Sequence, residues 1–178
     1  MKIRSARTTD SDAMWHIFQA VVAPGTSYAF AADTRREDGL AYFIGPGIGS
    51  WVAEDEGRVV GMYKLIPNRR GMALASHVAN ASFMVEPGHT GRGIGKALGL
   101  HCLREARRAG YLAMQFNSVV STNTPAVTLW KKLGFEIVGT VPKAFRHRDH
   151  GLVDVYVMHR FLDDIELESE GVIGAQGR

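Results

Sequence analysis

The chain has 178 residues, 46% hydrophobic and 22% charged, proportions of a globular protein with enough chain for one domain and a real core. No apolar run approaches the roughly 18 residues of a membrane span, and the opening Met-Lys-Ile-Arg-Ser-Ala-Arg lacks an apolar signal core. The single cysteine, Cys102, allows no internal disulfide and fits a reducing compartment, so the expectation is a cytoplasmic protein.

The formal charge of +3 is uneven. Residues 163–178 hold five acids and one base, which leaves 20 bases against 13 acids, a charge of +7, in residues 1–162. A positive body suits an anionic ligand, although charge alone fits nucleic acid or simple solubility equally well. The basic residues form no aromatic-interleaved stripe, which makes a nucleic-acid binder the weakest option.

Lys2–Arg7 alternates weakly and precedes Asp10-Ser-Asp12, a helix N-cap cluster. Apolar residues from Met14 to Val22 recur at helical spacing until Pro24-Gly25. A short helix is predicted from Arg35 to Phe43, capped by Thr34. Ser50–Glu54 and Arg58–Ile66 read as a hairpin around Asp55-Glu-Gly57. His77–Val85 is the next strand, Arg92–Ala109 a helix closed by Gly110, and Tyr111–Val120 an interior strand. Asn123–Leu133 is a helix closed by Gly134. Phe135–Val141 and Leu152–Met158 form a last strand pair bridged by a basic loop, Arg146-His-Arg-Asp-His150. The acidic tail from Asp163 has no apolar period and is expected to be loose. The order β-α-α-β-β-β-α-β-α-β-β describes one α/β (α+β) domain over residues 1–162 with a mixed sheet.

The stretch from Ser82 to Leu98 organises the rest. An apolar run stops at Pro87, and glycines at 91, 93 and 95 lead into a helix. Glycines let backbone approach a ligand, and the free N–H groups of a helix start attract anions, which makes this a phosphate cradle. A Walker A loop is excluded because Thr90 stands six before Lys96 and Ala97 follows it. A dinucleotide fingerprint is excluded because Lys96 and Leu98 stand where its third glycine belongs.

Val85-Glu-Pro87 followed by Gly91-Arg-Gly-Ile-Gly-Lys-Ala-Leu98 resembles the acyl-CoA motif of the GCN5-related N-acetyltransferases. Asn123-Thr-Pro-Ala126 with Leu129-Trp-Lys-Lys-Leu-Gly-Phe135 resembles that family's second signature, and the likeness covers essentially the whole chain. It implies a mixed, mostly antiparallel sheet with splayed middle strands and flanking helices. It also implies acetyl-CoA as co-substrate, no metal, and a homodimer as the family habit. Carried over, the backbone of Thr90, Gly91, Arg92, Gly93, Ile94 and Gly95 would cradle the pyrophosphate. Met84, Val85 and Asn123 would meet the pantetheine arm. The family usually has Arg or Gln where this chain has Thr90, which implies weaker cofactor binding.

The implied reaction is acetyl transfer to an amine, which needs a neutral amine, a stabilised oxyanion and an outlet for the thiolate. The family's frequent acid, a tyrosine, is here Trp130; Tyr156, the Ser121 hydroxyl or solvent are the substitutes. The frequent strand glutamate is missing from 77–85, which leaves His77 as the titratable group able to act as base, directly or through water. Asn80, Asn117 and Asn123, with Trp130, are similar to yeast-type acetyltransferases acting on proline analogues, in which asparagines bind substrate and polarise the thioester. That likeness implies substrate binding by Asn80 and carboxylate or oxyanion roles for Asn117 and Asn123. The alternative for Asn80 and Asn117 is amides that satisfy local backbone. Tyr28, Phe30 and Arg146 are expected to wall an acceptor pocket, with Arg146 pairing a substrate carboxylate. The expectation is an acetyltransferase for a small amine or amino acid, with no nucleic-acid or membrane partner. Its rivals are a protein acetyltransferase and a CoA-binding module that has lost catalysis.

Overall fold

A computed structural model describes residues 1–167. Its elements are β1 (Lys2–Ser5), α1 (Ser11–Val22), α2 (Arg36–Phe43), β2 (Gly49–Asp55), β3 (Arg58–Pro67), β4 (Val78–Val85), α3 (Ile94–Arg108), β5 (Ala113–Val120), α4 (Thr124–Lys132), β6 (Glu136–His147) and β7 (Gly151–Phe161). The strands form one sheet in the order β1-β2-β3-β4-β5-β7-β6, antiparallel throughout except for the β4–β5 pair.

Alternation along the strands feeds two cores. On β3, Met62 joins Met14, Phe18, Phe43 and Met84 beneath α1 and α2, while Tyr63 joins Leu98, Cys102, Phe116 and Trp130 beneath α3 and α4. Each such side chain, fully buried, contributes roughly 1.5–3 kcal/mol. Gly61 on β3 lets α3 come close, because a Cβ there would stand 3.1 Å from Leu98 Cδ1, 3.2 Å from Ile94 Cγ2 and 3.3 Å from the Met84 carbonyl oxygen.

The element order follows the sequence reading, and the differences are local. Thr8–Asp10 is a single 3-10 turn before α1, and Asp10 faces backward: Arg4 donates to its carboxylate from two nitrogens, which holds that carboxyl below its usual range. Thr34 does not cap α2. Its hydroxyl donates to the Ala31 carbonyl, and Arg35 is the capping position. Helix α3 starts at Ile94 rather than Arg92 because Gly93 takes a left-handed φ of +81°.

The basic loop expected at Arg146–His150 is only a turn at 148–150, and the connection around it is strand: β6 and β7 form a long hairpin, with a bulge between Val141 and Phe145 that the Asp154 carboxylate holds through the Lys143 N–H at 2.8 Å. The tail expected to be loose from Asp163 is held further. Arg160 pairs with Asp164, and Ile165 packs against the α3/α4 core. Residues 168–178 of that segment lie outside the described residues.

Candidate active site

The central feature is a split in the sheet. Strands β4 and β5 pair only at Val78–Ala113 and Ala79–Met114, and then separate. Hydrogen bonds from Glu86 N–H to the Val60 carbonyl and from Asn68 N–H to the Val78 carbonyl, both 2.9 Å, fix the phase of the β3–β4 ladder. Antiparallel ladders alternate, so Ala81, Phe83 and Val85 turn their backbone N–H and C=O groups toward β5, which has moved away. A cavity of about 380 Å³ occupies the split. On the α3/α4 side Phe83, Phe116, Ala126 and Trp130 line it, and on the α1/α2 side Tyr28, Phe30, Tyr42, Asn80, Ser82 and Asn117 do.

Beyond Val85 the chain makes a 3-10 turn, Pro87–His89, and enters α3 through Gly91 and Gly93, both left-handed. Glu86 sets the start of this loop. Its carboxylate lies 2.8 Å from His89 Nδ1 and 3.5 Å from His16 Nε2, so it is engaged with the loop and α1 rather than with the cavity. No side chain caps α3, whose first internal bond runs from Ala97 N–H to the Gly93 carbonyl at 3.0 Å. The N–H groups ahead of Ala97 therefore face outward at the positive end of the helix. A Cβ at Gly91 or Gly93 would meet nothing within 4 Å, so there is room above these amides. The Thr90 hydroxyl donates to the Pro87 carbonyl at 3.0 Å and closes the turn, while Arg92 leans on Asp55 at 3.3 Å. Asn123 caps α4 by accepting the Ala126 N–H at 3.3 Å, which commits its oxygen and leaves its NH2 at the cavity wall. A backbone cradle, an unpaired strand edge and a helix start together fit a long ligand carrying phosphates and amides.

The opposite side of the split is lined by neutral polar groups. Asn68 Oδ1 accepts from Asn80 Nδ2 at 3.3 Å and from Asn117 Nδ2 at 2.7 Å, and Gln115 Nε2 donates to Asn117 Oδ1 at 2.8 Å. These amides satisfy one another across the split rather than their local backbone. The Tyr28 hydroxyl donates to the Phe83 carbonyl and accepts the Phe83 N–H at 2.9 Å. Burial pushes its phenol far above the ordinary tyrosine value, so it stays protonated. Tyr42 shares a 2.8 Å hydrogen bond with the Ser82 hydroxyl, and the Lys64 ammonium sits 3.0 Å from the centre of the Tyr42 ring. Burial, with the charge of Arg70 adding, pushes that ammonium down to about 8.

Four expected roles do not match these positions, the first being that of Met84, whose backbone is turned to Met62 of β3 and whose side chain lies in the α1/α2 core rather than at the split. His77 is exposed at the closed end of the split, where its carbonyl accepts the Leu112 N–H at 2.9 Å, so its ring does not line the cavity. Tyr156 packs against the α3/α4 core rather than into the cavity. Arg146 is exposed on β6 because strand alternation turns its neighbours Phe145 and His147 inward, and Phe145 takes the place in the wall. Trp130 is core, 4.8 Å between ring centroids from both Phe83 and Phe116. The structure adds Asn68, Tyr42, Ser82 and Lys64, which the sequence reading missed. Asn68 stands in Pro67-Asn-Arg-Arg-Gly71, where it reads as a turn asparagine.

The profile of the acetyltransferase (GNAT) family matches residues 12–135 of this chain. The chain belongs to the GNAT acetyltransferase family. A GCN5-related N-acetyltransferase from Kribbella flavida is 42% identical and superposes with a TM-score of 0.85, over 90% of this chain and 96% of that one. N-acetyltransferase aca1 of Schizosaccharomyces pombe is 34% identical over 109 residues, 61% of this chain and 51% of its own length, so the match spans about half of that relative. This agrees with the resemblance to yeast-type acetyltransferases. The L-amino acid N-acetyltransferase AaaT of Escherichia coli is 33% identical over 65% of this chain and 69% of its own.

Proposed function

We propose that the protein transfers the acetyl group of acetyl-CoA to the amine of a small molecule, with amino acids as the favoured acceptors. The carrying observation is the split itself. On one side it opens to an uncapped helix start and an unpaired strand edge, and on the other to a chamber lined by neutral amides and hydroxyls. The name of the Escherichia coli relative adds weight to the amino-acid acceptor.

Residues 90–95 hold the pyrophosphate through backbone N–H groups, and Val85 offers its strand-edge backbone to the pantetheine amides, with the Asn123 NH2 beside it. Bound acetyl-CoA supplies an activated acyl group as a thioester. With the Phe83 N–H held by Tyr28, the Asn123 NH2 at the cavity wall is the donor suited to a developing oxyanion. Asn80 Oδ1 accepts from the attacking amine.

Among the described residues, no carboxylate or imidazole lines the cavity. The amine therefore arrives neutral from solution, and the thiolate, near its ordinary pKa of ~8.5, leaves without an obligatory acid. The rate is expected to climb with pH toward the pKa of the acceptor amine. A peptide acceptor fits less well, because Tyr28 and Phe30 of the α1–α2 connection wall the chamber where a peptide groove would have to run.

Thiol release over a panel of amines and amino acids tests the reading. At least one amino acid should accelerate release well above hydrolysis; release at background with every acceptor favours a non-catalytic CoA-binding module.

A further inference from the structure

Asn68 lies outside the cavity wall, yet it joins the two strands that bound it. Its backbone N–H donates to the Val78 carbonyl at 2.9 Å, which anchors it at the end of the β3–β4 ladder. Its Oδ1 then accepts from Asn80 on β4 at 3.3 Å and from Asn117 on β5 at 2.7 Å, beyond the last backbone pair at Ala79–Met114. A side-chain oxygen thus bridges the split where the sheet no longer does.

The bridge also sets the orientation of both amides. An oxygen only accepts, so both partners must present NH2 to it. Asn117 is fixed twice, since its Oδ1 is held by Gln115 at 2.8 Å. One N–H of Asn117 remains for a ligand. For Asn80 the oxygen and one N–H remain, and among the described residues Asn80 Oδ1 has no hydrogen-bond partner. The cavity therefore receives an acceptor from β4 and a donor from β5, side by side and uncharged.

We propose that Asn68 is a positioning residue that ties β4 to β5 and orients Asn80 and Asn117 for an acceptor carrying an amine next to a carboxylate. Asn80 Oδ1 takes the amine N–H and the free Asn117 N–H takes a carboxylate oxygen. The assignment rests on the N-acetyltransferase reading above.

The test compares Asn68→Ala, which removes the bridging oxygen, with Asn68→Asp, which keeps an accepting oxygen at the same reach. In the alanine variant the acceptor KM should rise on the order of tenfold or more, as expected when charge-assisted hydrogen bonds lose their geometry. The acetyl-CoA-induced melting shift should persist, and the aspartate variant should stay within a few-fold of wild type. The wild type should prefer an α-amino acid to the amine that lacks its carboxylate, and Asn68→Ala should erase that preference. Nitrogen-15 spectra give a readout independent of turnover: the side-chain NH2 signals of Asn80 and Asn117 should move in Asn68→Ala and hold in Asn68→Asp. Unmoved signals, or an unchanged acceptor KM in the alanine variant, overturn the bridge. Equal turnover of the amino acid and its decarboxylated amine overturns the acceptor class. A wild type without any acetyl-CoA shift defeats the acetyltransferase reading instead, and the spectra still decide the bridge.

Discussion

The hydroxyl of Tyr28 holds both backbone polar groups of Phe83, accepting its N–H at 2.9 Å and donating to its carbonyl across 55 residues of sequence. Those groups belong to a strand edge that has lost its neighbour, and one phenol satisfies both. Tyr28 reaches them from a loop in which its own φ is +60°, a conformation that side-chain-bearing residues adopt at a cost.

Tyr28→Phe keeps the ring and deletes both hydrogen bonds. The Phe83 groups lose their partner at a part-buried position, so the variant should be about 1–3 kcal/mol less stable by urea unfolding. A loss below the error of that measurement would show that water replaces the hydroxyl freely.

Gly61→Ala places a methyl against Leu98, Ile94 and the Met84 carbonyl, and Ile94 is the first residue of α3. Overpacking here should cost about 1–3 kcal/mol. Because the displaced turn carries the amides proposed to hold pyrophosphate, acetyl-CoA affinity should fall with stability. Calorimetric titration that finds wild-type affinity in the variant would separate the packing of α3 from its ligand role.

Lys64 makes stability depend on pH. Its ammonium falls from the ordinary 10.5 to about 8 in the folded chain, so between those values the unfolded chain holds more protons. Stability rises with pH wherever that is true, so the unfavourable contribution of Lys64 is full below about pH 8 and fades toward 10.5. Lys64→Met removes the titration while keeping the unbranched stem. The unfolding free energy of wild type relative to the variant should increase from pH 8 to pH 10; a difference that is flat with pH contradicts this placement of the ammonium.

His77→Ala should leave thiol release within about twofold of wild type, since the ring is exposed away from the cavity. A hundredfold loss would restore the histidine to the chemistry.

Helix and strand order was legible because the periodic segments are long and the punctuation is strong: Pro24-Gly25 after α1, Glu56-Gly57 in the hairpin, Gly110 after α3 and Gly134 after α4. The loop and helix starts proposed for the cofactor were visible in the sequence for a related reason. Left-handed turns at Gly91 and Gly93 leave a glycine spacing in the sequence, and a capping asparagine at 123 marks a helix start.

The acceptor side was only partly legible. Asparagines at 80 and 117 were noticeable because strands rarely hold them, but their shared partner Asn68 looks like any turn residue until the strands are placed. His77 and Arg146 failed for one reason: each lies near the site in sequence, and the closed end of the split or strand alternation turns it away. Trp130 reads as a missing acid and is, in the fold, the packing that joins Phe83 to Phe116.

The measurement that bears most directly on the central claim is the melting temperature with and without acetyl-CoA, in wild type and in Gly93→Glu. Ligand that binds only the folded state raises stability by about 2.7 kcal/mol at a hundredfold excess over Kd. A glutamate at Gly93 sets a carboxylate above the amides proposed for pyrophosphate and strains a φ of +81°. Wild type should show a saturable rise in melting temperature that the variant lacks while remaining folded. No rise in wild type, or an equal rise in both, would contradict the assignment of the α3 start as the cofactor site.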